Sequence, residues 1–326
     1  MPTPRRRSPA VLLPAVLLPV ALLLAVGCAA EPAAAPDGPP PASLAPMEPP
    51  PVGDVPRLSE VSGRTLPIEE YLLSGEQFRQ YDRAQATLVT RCVRGFGLDY
   101  PGPATANTEA GALATETQTT HRYDPVELSD VSAHGYHAPD PSAGRKPSDV
   151  PSLSPDVTTV LGTGLGPGGR PAPGSAAAFH GRDLPPGGCI GAAQRELTAH
   201  GGTGRDSDVA VGINYEGFER SKADPRVRAV FRDWSRCMAE HGHDYPTPGD
   251  ALKDPRWATN PSPSAEEIST ATADVRCKEG SNVVGVWFTV ETAYEEELIR
   301  RHQRELDAAK AANEAMLDTA RAVVTP

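Results

Sequence analysis

No complete catalytic signature of a common enzyme class occurs in this sequence of 326 residues. The zinc-protease pattern H-E-x-x-H and the redox pair C-x-x-C are both missing. A literal G-x-G-x-x-G at residues 164–169 has no predicted strand before it and no predicted helix after it, which is typical of a flexible glycine loop and not of a nucleotide site. The sequence therefore predicts no catalytic residue, no metal and no cofactor.

Two histidine clusters are the remaining places where a metal could bind. They are His134-Gly135-Tyr136-His137 and His241-Gly242-His243-Asp244. Their spacing is not specific for zinc, and histidine is common near the end of a helix because its positive charge suits the helix dipole. We therefore favour a structural role over a zinc site.

Runs of positive charge are absent beyond the first residues. The chain has 31 Lys and Arg against 42 Asp and Glu, and its net charge is −11. Removing residues 1–27, which carry three arginines and no acid, takes the net charge to −14. An acidic chain without a basic run does not attract nucleic acid or anionic lipid, so no nucleic-acid partner is predicted.

The N-terminus has the pattern of an export signal. Residues 5–7 are arginines, and an apolar stretch at residues 10–26 follows them. Ala25-Val26-Gly27-Cys28 resembles the bacterial lipobox, which implies cleavage before Cys28 and a diacylglyceryl or palmitate anchor on its sulfur. The alternatives are cleavage elsewhere or an uncleaved membrane helix. Two or more acyl chains give stable attachment, so we predict a protein that sits on the membrane without crossing it.

A duplicated element lies in the chain at residues 83–103 and 228–248. Nine of the 21 aligned positions are identical without a gap. They are Arg83, Ala84, Arg91, Cys92, Gly97, Asp99, Tyr100, Pro101 and Pro103, each repeated 145 residues later. The pattern predicts a helix that carries a cysteine, ends at a glycine with positive φ and continues as an extended Tyr-Pro stretch.

The Asp-Tyr pairs of this element have two interpretations. In the functional one, Asp99, Tyr100, Asp244 and Tyr245 face a ligand or a substrate. In the structural one, each Tyr ring anchors the chain that leaves the helix, with its hydroxyl paired to the neighbouring acid. We favour the structural interpretation, because an acid–base pair needs carboxylates in different environments and a duplicated element tends to give similar ones.

The cysteine count predicts two disulfides. Without the lipidated Cys28, four cysteines remain, Cys92, Cys189, Cys237 and Cys277, an even number in an exported protein. Three pairings exist, and the four could instead bind a metal, although no two of them are close in sequence. We favour Cys92–Cys189 and Cys237–Cys277, where each repeat cysteine pairs with the next one. These bridges would close loops of about 98 and 41 residues and stabilise the fold by roughly 4–5 kcal/mol each.

Apolar spacing and capping residues predict a mainly α fold with a long C-terminal helix and extensive irregular loops. The predicted helices are 74–97, 125–133, 155–161, 190–199, 224–242, 264–277 and 282–318. We expect one disulfide-stapled domain at residues 66–320, with a loop-rich insert at 104–186 whose residues 138–150 and 164–180 are the most mobile. Residues 28–65, rich in Pro and Ala, are predicted to be a tether.

The sequence also resembles a group of uncharacterised lipoproteins from high-GC actinomycetes. The resemblance rests on the doubled Cys…Gly-x-Asp-Tyr element, on Gly187-Gly188-Cys189, and on the VRCK and NVVGVWF stretches within residues 275–288. It covers about residues 66–305. It implies the outer face of the cytoplasmic membrane of a Gram-positive cell, and it implies no activity.

These observations predict a membrane-anchored extracytoplasmic lipoprotein that is a non-enzymatic binding or structural module at the cell envelope. Its expected partners are the membrane, through the lipid anchor, and an unidentified protein or cell-wall component. The alternative is a cell-envelope hydrolase that acts on cell-wall material. A two-lobed solute-binding protein is disfavoured, because strands and helices do not alternate along the chain.

Overall fold

The computed structural model describes residues 46–61, 63–102, 121–137 and 152–325. This part of the chain has nine α-helices, three short 3-10 helices and one β-hairpin. The helices are α1 (Gly75–Gly95), α2 (Leu128–His134), α3 (Pro155–Leu161), α4 (Gly188–Leu197), α5 (Asp208–Ala223), α6 (Pro225–Glu240), α7 (Pro248–Leu252), α8 (Ala265–Gly280) and α9 (Val283–Val324). The 3-10 helices are Pro67–Tyr71, Pro167–Gly169 and Trp257–Thr259, and the paired strands are β1 (Ala178–Phe179) and β2 (Arg182–Asp183).

The mainly α class with a long C-terminal helix is confirmed. Of the helices in the described residues, none is both long and apolar enough to span a membrane. Cys28, the predicted signal peptide and residues 138–150 lie outside the described residues.

Helix α9 is the element against which most of the domain packs. It has 42 residues and ends at Val324, six residues beyond the end at 318 that the sequence predicts. Its helical geometry is interrupted at His302. Helices α1, α4, α5, α6 and α8 and the 3-10 helix at 67–71 contact it along its length. The domain is therefore organised along one helix and not around a central sheet.

Two large apolar cores lie along this helix. The first core joins α1, α3, α4, the hairpin and the last turns of α9, and it includes Leu88, Val93, Tyr100, Leu197 and Met316. The second core joins α6, α8 and the first turns of α9, and it includes Trp234, Met238, Tyr245, Val284 and Trp287. Each copy of the duplicated element thus contributes to a different core.

One disulfide lies in each core. Cys92 on α1 is bonded to Cys189 on α4, and Cys237 on α6 is bonded to Cys277 on α8. The pairing that we favour is confirmed. In both cases the bridge links the last turns of a repeat helix to a neighbouring helix, which fixes the direction in which the chain leaves the repeat helix.

Residues 46–61 belong to the stretch that we predict to be a tether, but they are docked on the domain. It lies against the second core, where Val61 is buried and Met47, Val52 and Leu58 are partly buried. Asn282 holds it by hydrogen bonds, donating to the carbonyl of Pro56 at 3.0 Å and accepting from the amide of Leu58 at 3.0 Å. Proline-rich composition predicts an extended chain, but it does not show whether that chain docks. The described domain therefore begins at residue 46 and not at 66.

Residues 164–180 also differ from the flexible loop that we predict. The amide of Gly164 donates to the carbonyl of Gly187 at 3.0 Å, and Leu165 and Pro171 form a β-bridge. A Cβ on Gly187 would lie 2.4 Å from the Gly164 oxygen, so glycine is required by the close approach of two backbones. The glycine-rich sequence here serves packing against the start of α4.

Candidate functional site

The structure places the two repeat tyrosines in separate cores. Tyr100 is 4% exposed in the first core, and its carbonyl accepts from Arg94 Nη2 at 3.3 Å. Tyr245 is 8% exposed in the second core, and its hydroxyl donates to Asp254 Oδ2 at 2.8 Å. Arg256 Nη2 donates to the same hydroxyl at 2.6 Å. The tyrosines therefore anchor the two helix exits and do not converge on one site.

The two repeat aspartates do not have the structural role that we predict for them. Asp99 and Asp244 are both exposed, and no hydrogen bond or ion pair joins either one to another described residue. The expectation that each acid pairs with its neighbouring tyrosine is wrong, because Tyr245 uses Asp254 instead. Proline after each tyrosine favours extended backbone at the tyrosine. Neighbouring side chains of an extended chain point to opposite sides, which agrees with the buried rings and the exposed carboxylates.

Exchanging both aspartates for asparagine is expected to leave stability almost unchanged. Asp99→Asn and Asp244→Asn should each shift the free energy of unfolding by no more than about 0.5 kcal/mol, because neither carboxylate has a partner to lose. Tyr245→Phe should cost about 1 kcal/mol through its lost hydroxyl bonds. Urea unfolding followed by circular dichroism measures all three, and a large loss for Asp244→Asn would contradict this assignment.

The histidine clusters do not meet at a common site in the described residues. His137 lies in an ion pair with Glu267, Nδ1 to Oε1 at 2.7 Å, and this hydrogen bond raises the pKa of His137. His243 Nδ1 lies 3.2 Å from the hydroxyl of Thr270. His241 belongs instead to a group with Cys237 and Cys277. The two clusters therefore have separate local partners.

The most unusual chemistry of the described chain is a set of charged side chains buried inside it. We call these six residues the buried charged network: Arg122, Glu267, Asp274, Lys278, Glu291 and Glu295. Five of them lie on α8 and α9 and are at most 3% exposed. Burial of a charge is costly unless a partner compensates it, so each of these groups needs an explanation.

Glu291 and Glu295 face the same cation from successive turns of α9. Arg122 Nε lies 2.9 Å from Glu291 Oε1, and its Nη2 lies 3.9 Å from Glu295 Oε1. The Tyr123 hydroxyl donates to Glu291 Oε2 at 2.9 Å, and the amide of Ile68 donates to Glu295 Oε2 at 3.0 Å. One guanidinium thus serves two carboxyl groups.

The shared cation leaves this pair short of one positive charge. Burial raises the pKa of Glu291 to about 7, although Arg122 and the Tyr123 hydroxyl favour its charged form. Burial, together with the charge of Glu291, raises the pKa of Glu295 to about 8. Glu295 Oε1 has no hydrogen-bond donor in the described chain, which suits a carboxyl that carries its own proton near neutral pH.

A second part of the network is the ion pair of Asp274 and Lys278, one turn apart on α8. Their Oδ2 and Nζ atoms are 3.3 Å apart. Trp234 Nε1 and the Tyr136 hydroxyl donate to Asp274 at 2.9 and 3.2 Å. Lys278 Nζ also donates to the carbonyls of Tyr123 and Pro125, at 3.2 and 3.0 Å. Every polar atom of this pair therefore has a partner.

The third part of the network is Glu267, which contacts the C-terminal end of segment 121–137. Its Oε1 accepts from the amide of Tyr136 at 2.8 Å, beside the contact with His137. Gly135 has a φ of 60°, which favours glycine, and a Cβ there would lie 2.6 Å from this oxygen, so a larger residue would displace the Glu267 side chain. All three parts of the network contact residues 121–137, and together they attach this segment to α8 and α9.

The two cavities described for the surface of this protein do not reach this network. Two surface cavities have volumes of about 570 and 590 Å³. The first is lined by Ala86, Thr87, Thr90, Arg91, Arg94, Pro101 and Gly102, and the second by Arg91, Glu196, Thr319, Ala322, Val323, Val324 and Thr325. Neither contains a network residue or a repeat aspartate. Neither of these two cavities therefore gives a substrate access to the perturbed carboxyls.

Sequence reasoning did not identify this network, although one signal for it is present. Glu291 and Glu295 lie on the same helical face as Trp287, Tyr294 and Leu298, inside an apolar stripe. Two acids on a buried face predict buried partners. The position of Arg122 in a loop-rich region gives no local signal that it is one of those partners.

No protein-family model matches this chain, and neither a curated protein nor a solved structure gives a match.

Proposed function

We propose that this protein is a lipoprotein anchored by Cys28 to the outer face of the cell membrane, where its helical domain is a non-enzymatic binding or structural module. The observation that carries the non-enzymatic part is the location of the buried charged network. Its groups form ion pairs within the network or bonds to segment 121–137, and none of them lines either of the two cavities described above. They act as internal supports of the fold.

The anchoring part of the proposal rests on the sequence and on the two disulfides. Gly27-Cys28 follows an arginine-led apolar stretch, and Cys92–Cys189 and Cys237–Cys277 are the kind of bridges that persist in oxidising compartments. The negative charge of the chain gives no attraction to anionic lipid, so attachment has to come from acyl chains.

Replacing Cys28 tests the anchor directly. The wild-type protein is expected in the membrane fraction and in the detergent phase after phase separation, and Cys28→Ala is expected in the soluble fraction. Labelled palmitate should be incorporated by the wild type and not by Cys28→Ala. A Cys28→Ala protein that stays in the membrane fraction would contradict the proposal. Affinity capture from intact cells, with Cys28→Ala as the unanchored control, then identifies the partner.

The alternative of a cell-wall hydrolase has its own outcome. The purified domain, incubated with insoluble cell-wall material, is expected to release no soluble fragments. Release that is abolished by Asp99→Asn or Asp244→Asn, in a protein shown by circular dichroism to be folded, would favour the hydrolase. Equal release by a mock preparation that lacks this protein would point to a contaminating activity.

A further inference from the structure

A histidine stands beside one of the two disulfides and not beside the other. One imidazole nitrogen of His241 and the sulfurs of Cys237 and Cys277 all lie within 4.8 Å of one another. Cys237 and His241 are four residues apart, so they share one face at the end of α6. Cys277 comes from α8. No other group of three ligand-type side chains is this close in the described parts of the chain.

The first repeat provides a comparison within the same protein. Phe96 follows Cys92 at the distance at which His241 follows Cys237. Its ring packs against Phe179, with centroids 6.4 Å apart, and the Arg182 guanidinium lies 4.5 Å from its centroid. The first repeat thus uses this position for packing.

His241 has a different environment. It is exposed, and its Nδ1 lies 2.9 Å from the carbonyl oxygen of Cys237. A bond from one ring nitrogen to a backbone carbonyl is the usual way in which a metal-binding imidazole is oriented. Cys237 is half-buried and Cys277 is buried, so solvent reaches this group from the side of His241.

We propose that Cys237, Cys277 and His241 form a Zn²⁺ site when their disulfide is reduced. A dithiol reductant supplies two electrons and becomes a disulfide, and the Cys237–Cys277 bond becomes two thiols. Each thiol releases its proton as the sulfur binds Zn²⁺, the neutral imidazole is the third ligand, and water takes the fourth position. The disulfide and the metal are then alternative links between α6 and α8.

The dimensions of the group suit this ion. Zn–S bonds of about 2.3 Å and Zn–N bonds of about 2.0 Å place tetrahedral ligand atoms roughly 3.5–3.8 Å apart. The three ligand atoms already lie within 4.8 Å of one another. After reduction the two sulfurs, bonded in this structure, must move apart and the imidazole must move closer, by side-chain shifts on the order of an ångström. Two thiolates and one imidazole are ligands that favour zinc over magnesium or calcium.

The test is a Zn²⁺ titration against a chromophoric chelator. The protein is reduced with dithiothreitol, freed of the reductant without air, and compared with the oxidised protein. We expect one Zn²⁺ per reduced chain and none per oxidised chain. His241→Phe, which copies the first repeat, should weaken binding at least about tenfold.

The double variant Cys92→Ser/Cys189→Ser is the matched control. It removes the other cysteine pair, and we expect it to bind Zn²⁺ as tightly as the reduced wild type. Binding that is unchanged in His241→Phe, or lost in the double variant, would overturn the proposal.

If reduction of the disulfides unfolds the domain, the helical signal in circular dichroism at 222 nm is used as the measure of Zn²⁺ binding. Zn²⁺ is then expected to restore the helical signal of the wild type at a concentration at least about tenfold lower than the one that His241→Phe needs. Recovery of both proteins at the same Zn²⁺ concentration, or of neither, would contradict the site.

Discussion

Lys278→Met is expected to lower the free energy of unfolding by about 3–5 kcal/mol. Lys278 is 3% exposed, and its Nζ lies 3.3 Å from Asp274 Oδ2. Burial lowers the pKa of Lys278 and raises that of Asp274, while each charge opposes the shift of the other. Removing the ammonium leaves a buried acid without its cation, and it leaves the carbonyls of Tyr123 and Pro125 without their donor.

Two further variants test whether the loss of unfolding free energy in Lys278→Met comes from breaking the buried ion pair. Asp274→Asn/Lys278→Met removes both charges and keeps an acceptor for the indole of Trp234, so it should recover part of the loss. Arg236→Met breaks an exposed pair with Asp233 on α6 and should cost less than about 1 kcal/mol. Urea unfolding measures all three, and equal midpoints for Lys278→Met and Arg236→Met would refute the assignment.

Local signals in the sequence were sufficient for the two repeat helices. Helix α1 begins with a capping box, in which Ser74 Oγ accepts from the amide of Gln77 and the Gln77 side chain accepts from the amide of Ser74. Asp224 caps α6 by accepting from the amide of Arg226 at 2.8 Å, with Pro225 in the first turn. These features depend on residues two or three positions apart, which a single sequence displays directly.

Helix α5 could not be predicted in the same way. Its buried positions are Ala210, Ile213, Gly217 and Ser221, so only one large apolar side chain marks the face that packs. A Cβ on Gly217 would lie 2.8 Å from Glu295 Cγ. The helix packs by close approach of small residues to α9, and this gives a weak apolar pattern. The same contact helps to bury Glu295. Helix α5, which the sequence did not predict, therefore covers an acid whose burial the sequence did not predict either.

The docking of residues 46–61 and the buried charged network were not predicted from the sequence, for a related reason. Met47, Val52, Leu58 and Val61 are too sparse to mark a docked segment until α8 and α9 are in place beside them. Arg122 pairs with acids on the far C-terminal helix. Pairing over such sequence distances is a property of the assembled fold, and neither composition nor periodicity contains it.

The stability of the domain is expected to fall as the pH rises from about 5 to about 8, and Glu295→Gln is expected to reduce that fall. An unfolded glutamate has a pKa near 4.5, whereas burial raises the pKa of Glu295 to about 8 in the folded protein. Between these values the folded state holds a proton that the unfolded state has released. The contribution is therefore fully present below pH 4.5 and is lost as the pH rises through 8.

Glu291 adds to the same trend, because its pKa is raised to about 7, again by burial. His137 acts in the same direction, since its raised pKa stabilises the fold only while the imidazole is charged. A pH profile of the wild type therefore reports several groups. The difference between the wild type and Glu295→Gln isolates one of them.

Glu295→Gln should be more stable than the wild type at pH 8, by an amount on the order of 3 kcal/mol, and should differ little from it at pH 5. The glutamine carbonyl still accepts from the amide of Ile68, so the main hydrogen bond is retained. Glu296→Gln is the matched control, because it removes the same charge from the next residue of α9 at an exposed position. Urea midpoints at pH 5, 6, 7 and 8 give the comparison. Parallel curves for Glu295→Gln and the wild type would show that Glu295 is ionised throughout, and that Arg122 compensates both carboxylates.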